Sequence, residues 1–507
     1  TFNVGSTSKS GVVILNGDTT VTNLNIFAGD VDAEDSTVTV NGDLDTTTIT
    51  LDDGTNSAVT KIIFADSDTV TITGAITAAT ANDGTIQVTG ANKTFSGTIG
   101  GTRIGTLDIN ETSTYTGAVT VDSLDIAANK TATFKNNVTL NTSATINSSA
   151  TFLVTSAGTP AAITVTGSVL GASDGVGTVQ ITNTGGTTFT TTVGNTANTL
   201  ALINIDQDTT FSGSVEATAI NNAASTTATF SDNVTATITN SGTLLFNTSA
   251  DKSVTGTISE AAGGDTTEIK VIDSADGAPA TVTFTATVAA DTLTVGTTSK
   301  AGAALFEDDV TVPAINITGA NSGDENSTAT FNTAVTATAI VLDDSGIAGK
   351  AKVIFAAANT ATITGTINGS ATTEGSIQIT GATKTFASII GGSNPLTLID
   401  IDGTSIFNAA VSATNIDNDG TATFKSDVTA ATANDGTLTL TPNGNNNITH
   451  TGAISGAGTL NAVEADDGAV NSVTFSTTVA AATFNVGSTS KSGVVILNGD
   501  TTVTNLN

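Results

Sequence analysis

Acid–base or nucleophilic chemistry needs a positioned imidazole, a thiol or a pair of carboxylates. Among 507 residues there is one histidine, His450, and no cysteine. His450 stands in NNNITHTG, where the plain reading is a turn or strand-end residue. A Ser–His–Asp site would need that imidazole beside a nucleophile, and no GxSxG elbow accompanies it. Carboxylates are plentiful, with 46 Asp and Glu. A glycosidase needs two of them held across a cleft, and the spacing selects no pair. No catalytic residue is expected.

Calcium is the better question for so many acids. Asp-rich turns supply the several oxygen ligands that a hard cation takes. They occur as GDVDAEDS at Gly29, LDDG at Leu51, ADSD at Ala65, FEDDV at Phe306, LDDS at Leu342 and ADDG at Ala465. LDD recurs 291 residues apart, which makes Asp52, Asp53, Asp343 and Asp344 the calcium candidates. The nonapeptide of calcium-loaded β-rolls and the EF-hand loop are both absent. The competing expectation is solvated negative charge that keeps an exposed surface soluble. No other cofactor is implied. TxT tripeptides, as at Thr37, Thr71, Thr131 and Thr229, raise ice binding. Ice-binding ladders repeat at fixed spacing and these do not, so Thr is read as the outward half of alternating strands.

Composition says what must position any such residue. Hydrophobic residues make up 38% and charged residues 12%, which is not the low-hydrophobicity, high-charge profile of a disordered chain. Thr, Val and Ile are β-branched and suit a pleated surface. Met, Trp and Cys are absent and Pro occurs five times. The balance of 14 basic against 46 acidic residues leaves −32. That charge argues against nucleic acid as a partner, since phosphates need Lys and Arg. No apolar run reaches the ~18–20 residues that span a bilayer, so no membrane insertion is expected.

Self-similarity organises the whole chain. Thr1–Asn25, TFNVGSTSKSGVVILNGDTTVTNLN, returns unchanged at Thr483–Asn507, a period of 482 residues. The expectation is one period of a giant repeat protein, or a window on a polymer, with the next copy begun at Thr483. A shift of 291 overlays Thr1–Gly101 on Thr292–Gly392, and one of 191 overlays the stretch from Asp276 on that from Asp467. Beneath these lies a finer repeat. TATF-like strings begin at Ser36, Thr131, Thr227, Ser327 and Thr421, and a TG-small-Ile/Val turn follows at Thr73, Thr166, Thr255, Thr364 and Thr451. The modules are therefore 36–130, 131–226, 227–326, 327–420 and 421–507, with 1–35 the tail of a preceding module and 483–507 the restart.

Within a module the period is two. VTIT at Val70, IQV at Ile86, LDI at Leu107 and Leu124, and ITL at Ile49 alternate apolar with polar, as strands with one buried face do. Turn clusters such as NGD, ANDG and IGG separate them. The fold expected is all-β, a continuous parallel β-solenoid of tandem ~95-residue modules with roughly 20–25 residues per rung. The alternative is a string of β-sandwich domains. Aromatic content of 4% and uneven marker spacing favour the solenoid. Phe134, Phe230, Phe331 and Phe424, which follow the module period, are expected in its core.

The run TGAI…GTIQVTG…TFSGTIGG…LDIN resembles the passenger regions of rickettsial-type surface autotransporters. More loosely it resembles other Thr/Asn/Gly-rich surface-layer and filamentous adhesin repeats. The resemblance implies an exported bacterial cell-surface protein with a β-solenoid body. It carries over no functional residue. Function is expected to be non-enzymatic and extracellular: a long fibre, sheath or surface layer, or alternatively the stalk of an adhesin. The expected partner is another copy of the same chain, met end to end or laterally.

Overall fold

The computed structural model describes residues 1–29, 34–55, 58–66, 68–263, 265–275, 278–321, 326–344, 349–444, 446–463, 471–488 and 493–507. These fall into two compact units, Thr1–Leu244 and Leu245–Asn507. In each the chain is a parallel β-solenoid, and no described residue is helical. The expected strands are present. ITL lies in Leu44–Asp52, VTI is Val70–Ile72, IQV ends Asp83–Val88, and the two LDI strings end Ile99–Ile109 and Val119–Ile126.

One rung shows how alternation becomes a coil. Residues 104–109 form its first side, Ser113–Tyr115 its second and 119–121 its third. The chain then steps down one layer, so that Leu124 lies under Leu107, Phe134 under Tyr115 and Val138 under Val119. Three sides give three parallel ladders. On each side every second residue points inward, and Leu107, Ile109, Tyr115, Val119 and Val121 are buried. Neither layer could bury that face alone, so stacking makes the core.

The three corners are built differently. Between the third side and the next rung no loop intervenes, only a bulge: the register of Val119–Ile126 against Val138–Ile146 shifts between Val121 and Ser123. The same shift recurs at Glu216/Ala219 and Ser412/Asn415. An extra residue at a bulge bends the strand, which turns the corner. The second corner carries the TG turn. Its glycines stack, and a Cβ on Gly97 would lie 1.8 Å from Gly74 O, one on Gly117 2.3 Å from Gly97 O. The backbones approach too closely there for any side chain.

Rung length varies because loops grow at corners without disturbing the sides. Phe424 sits over Leu440, sixteen residues on, whereas Val254 sits over Phe284, thirty residues on. The ladders run through the sequence-module edges at residues 131, 227, 327 and 421. Folding therefore does not break there into sandwiches.

Aromatic rings stack in files along the inner face. Phe95, Tyr115, Phe134 and Phe152 have successive centroid separations of 5.0, 5.1 and 4.6 Å, and Phe386, Phe407 and Phe424 are 4.9 and 4.6 Å apart. These are close to the ~4.8 Å between hydrogen-bonded strands, so the ladder itself sets the stack. Phe134, Phe230, Phe331 and Phe424 are all buried in such files, as expected. Phe211 lies 5.3 Å from both Phe189 and Phe230 and is fully buried. Phe211→Ala is expected to destabilise the protein by about 3–5 kcal/mol, measured by chemical denaturation. The outward neighbour Thr210→Ala should stay within ~0.5 kcal/mol. Equal effects would refute the stacked-core account.

Candidate functional site

The candidate acids lie at corners, where a strand ends and the chain must turn. Asp53 follows Leu44–Asp52. Its Oδ1 accepts hydrogen bonds from both N and Oγ1 of Thr60, each 2.6 Å, and its Oδ2 accepts from Gly84 N at 2.9 Å. Both oxygens thus tie down the start of the next strand and the rung below. Asp344 does the same work in the other unit. Its Oδ1 accepts from Ala351 N at 2.9 Å, and its Oδ2 meets the Lys350 ammonium at 3.2 Å, with the carboxylate buried. Asp273, which its sequence context did not single out, accepts from Ala275 N and from Ala280 N, both at 2.9 Å. In all three the acceptor reaches a backbone N–H seven residues on, so the carboxylate closes the corner.

At Asp53 and Asp344 the carboxylate oxygens are engaged within the corner. Asp52 Oδ1 accepts from Gly54 N at 3.0 Å in a local turn, and Asp343 ends its ladder opposite Thr318. Across the rung Asp83 approaches the first pair. Burial, and then the charges of Asp53 and Asp52, hold its carboxyl above the usual carboxylate range. Among the described residues no three His, Asp or Glu side chains form a metal-holding group. Much of the acidic stretch from Gly29, Ser67 in ADSD, Ser345 in LDDS and all of ADDG at Ala465 lie outside the described residues.

His450 is a core residue. It pairs with Phe475 in the ladder and points inward with its ring 6.2 Å from the phenyl. Its Nε2 lies 3.0 Å from Thr432 Oγ1 and its Nδ1 3.0 Å from Gly452 O. A carbonyl can only accept, so Nδ1 carries the proton and Nε2 accepts from the threonine hydroxyl. The imidazole is neutral, held down to a pKa of about 4 by burial.

Two buried cations were not anticipated. Lys93 and Lys384 stand 291 residues apart before TF, at inward positions of the file that leads to Phe95 and Phe386. Lys93 Nζ donates to Asp66 O and Asp68 O, both 2.6 Å, and to Ala91 O at 3.2 Å. Lys384 Nζ donates to Ala357 O at 2.7 Å and to Ala382 O. Burial lowers both ammonium pKa values, and at Lys93 the charges of Asp66, Asp68 and Asp43 oppose that shift. Each ammonium bonds carbonyls at a corner, and Ala357 O also accepts from Ala382 N at 3.2 Å. The sequence signal was the repeated AN-K-TF and AT-K-TF in a chain with only 14 basic residues.

Threonines do stack. Thr71, Thr94, Thr114 and Thr133 occupy one outward position on successive rungs. Unequal rung lengths hide the file from a fixed-spacing reading of the sequence. It is one residue wide, because buried residues flank Thr94 and Thr114 in their three-residue strands. Asparagines form further ladders, with Asn25 Nδ2 donating to Asn3 Oδ1 at 2.9 Å and Asn507 to Asn485 at 2.9 Å.

What this arrangement can do is hold a backbone. The charged and imidazole groups described above satisfy turns, and the outer faces carry Thr, Asn, Gln and Asp. Comparison with protein-family models, with curated proteins and with solved structures finds no match.

Asp344→Ala is expected to lower stability by roughly 1–3 kcal/mol, since Ala351 N–H and the Lys350 ammonium lose their acceptor. The loss, read by thermal melting, should be the same with calcium and with chelator. Dependence of that loss on calcium would contradict the corner-closing role.

His450 makes stability depend on pH. Unfolded imidazole takes a proton below about 6.5, whereas the folded one stays neutral to about 4. The unfolded state therefore binds more protons across that window, and stability falls with pH from about 6.5 towards 4 by roughly 3 kcal/mol. The raised carboxyls of Asp83, Asp125 and Asp400 act in the opposite sense at the acid end. The measurement is therefore the difference between wild type and His450→Phe. The variant should lose less stability between pH 7 and pH 4, and an unchanged profile would refute the assignment.

Proposed function

We propose that this chain is a non-enzymatic structural repeat protein of a bacterial cell surface, building a long fibre, sheath or surface layer. The observation that carries the reading is the use made of the polar groups. Asp53, Asp273, Asp344, Lys93, Lys384 and His450 are each engaged in closing a corner or filling the core. That is what a load-bearing coil requires and what a catalytic cleft does not. A parallel coil whose layers hydrogen-bond throughout resists shear and proteolysis, because no rung can leave without breaking the ladders on its sides. The charge of −32 suits a surface that must stay solvated and keep neighbouring coils from sticking laterally. Likeness to autotransporter passengers and surface-layer repeats supports the same location.

The test is where the protein lies in its own cells. Antibodies raised against the folded chain should label intact cells as strongly as permeabilised ones, and brief external protease should remove the signal. Labelling that requires permeabilisation would overturn the reading.

A further inference from the structure

Asn-Gly occurs five times in this chain, at Asn16, Asn41, Asn368, Asn443 and Asn498. The pair carries its own chemistry. The glycine nitrogen can attack the asparagine side-chain carbon, because glycine has no Cβ to hinder the approach. The fold decides whether the two groups are free to meet. Asn41, Asn368 and Asn443 each stand in or beside a rung paired on both edges, so their surroundings can be compared.

Two of the three are held. Asn41 Nδ2 donates to Asn16 Oδ1 at 3.0 Å. Gly42 beside it is buried, and a Cβ there would lie 2.6 Å from Gly17 C. Asn368 lies in the strand Thr366–Gly369, where Gly369 N–H donates to Asn394 O at 3.2 Å. Its Oδ1 accepts from Ser393 N at 3.2 Å, so both reacting groups are engaged.

Asn443 differs. It lies in the corner between Thr437–Leu440 and Ile448–His450, and both it and Gly444 are exposed. Gly444 has φ +64°, and nothing lies within 4 Å of where a Cβ would be. Among the described residues no group bonds the Asn443 side chain or the Gly444 N–H. The carbonyls of the corner are anchored all the same. Gly444 O accepts from Asn471 Nδ2 at 2.6 Å and Asn443 O from Asn446 Nδ2 at 3.3 Å.

We propose that Asn443 is a site of spontaneous deamidation, with water as the only co-reactant. Gly444 N bonds to Asn443 Cγ as the Cγ–Nδ2 bond breaks; its proton passes to solvent, and Nδ2 departs as ammonia. The cyclic succinimide then adds water. Opening at Cγ gives an aspartate, and opening at the main-chain carbonyl gives an isoaspartyl linkage with an extra carbon in the backbone. Either product adds a negative charge. The coil survives both, because corners change length without disturbing the sides, as the sixteen-residue layer at Phe424 and the thirty-residue layer at Val254 show. The modification accumulates with the age of the protein. It goes beyond the structural role proposed above and does not depend on it.

Peptide mapping by mass spectrometry tests this on the 507-residue chain. The folded protein is aged at mildly alkaline pH, where the attacking amide nitrogen loses its proton more readily, and then digested at acidic pH. Asn443 should convert roughly tenfold or more faster than Asn41 and Asn368, whose rungs must open before they react. In concentrated urea, where all three pairs are unfolded, the rates should converge. Asn443→Gln should abolish conversion at that corner and leave the other two sites as they were. Equal rates at the three sites in the folded chain would overturn the proposal. So would an Asn443 that stays intact when folded but converts in urea. Circular dichroism of the aged protein should match that of the fresh protein, and a loss of strand signal would refute the tolerance of the corner.

Discussion

Parallel hydrogen bonding between successive layers is the constraint on which the rest depends. It spaces the layers at about 4.8 Å and lets no residue choose its neighbours freely. Whatever stands at one position must tolerate a residue of similar character directly above and below it. Apolar residues respond by stacking into files, which is why Phe95, Tyr115, Phe134 and Phe152 form one column. Asparagines answer with amide ladders. Glycines answer at the TG corner, where Gly74, Gly97 and Gly117 approach too closely for a side chain.

The same constraint explains where the charges go. Sides of the coil are satisfied by their ladders, but corners interrupt them and leave backbone groups without partners. Those groups must be paired or hydrated. Asp53, Asp273 and Asp344 pair N–H groups at corners, while Lys93 and Lys384 bond carbonyls there. Acidic and basic residues thus divide the two kinds of backbone group between them. An acid-rich corner resembles a calcium loop in sequence for this physical reason: both present oxygens at a tight turn.

Buried polar residues extend the principle inward. Asn222 donates to Asn240 at 2.8 Å and Asn418 to Asn434 at 2.6 Å, both pairs buried one rung apart. His450 sits over Phe475 and keeps its place by remaining neutral, bonded to one hydroxyl and one carbonyl. A polar side chain survives in this core when a neighbouring layer supplies its partner.

Much of this was legible in the residues themselves. Alternation over strings such as VTIT and LDI identified strands and their buried faces, because burial of one face of a strand is a local property with a period of two. The 291-residue shift carried real structure, since Ser36 and Ser327 receive equivalent bonds from Gly11 N and Gly302 N. The Phe residues after TAT were correctly placed in the core. What the sequence left open were the partners between layers. Neighbouring layers are separated by sixteen residues at Phe424 and thirty at Val254, because corner loops change length without changing the sides. A file with irregular sequence spacing, such as Thr71, Thr94, Thr114 and Thr133, has no fixed period to detect. The closing roles of Asp53 and Asp344, and the burial of Lys93 and Lys384, depend on which carbonyl or N–H the next layer brings within reach. Side-chain chemistry and strand period are written along the chain, but layer-to-layer register exists only once the chain has coiled.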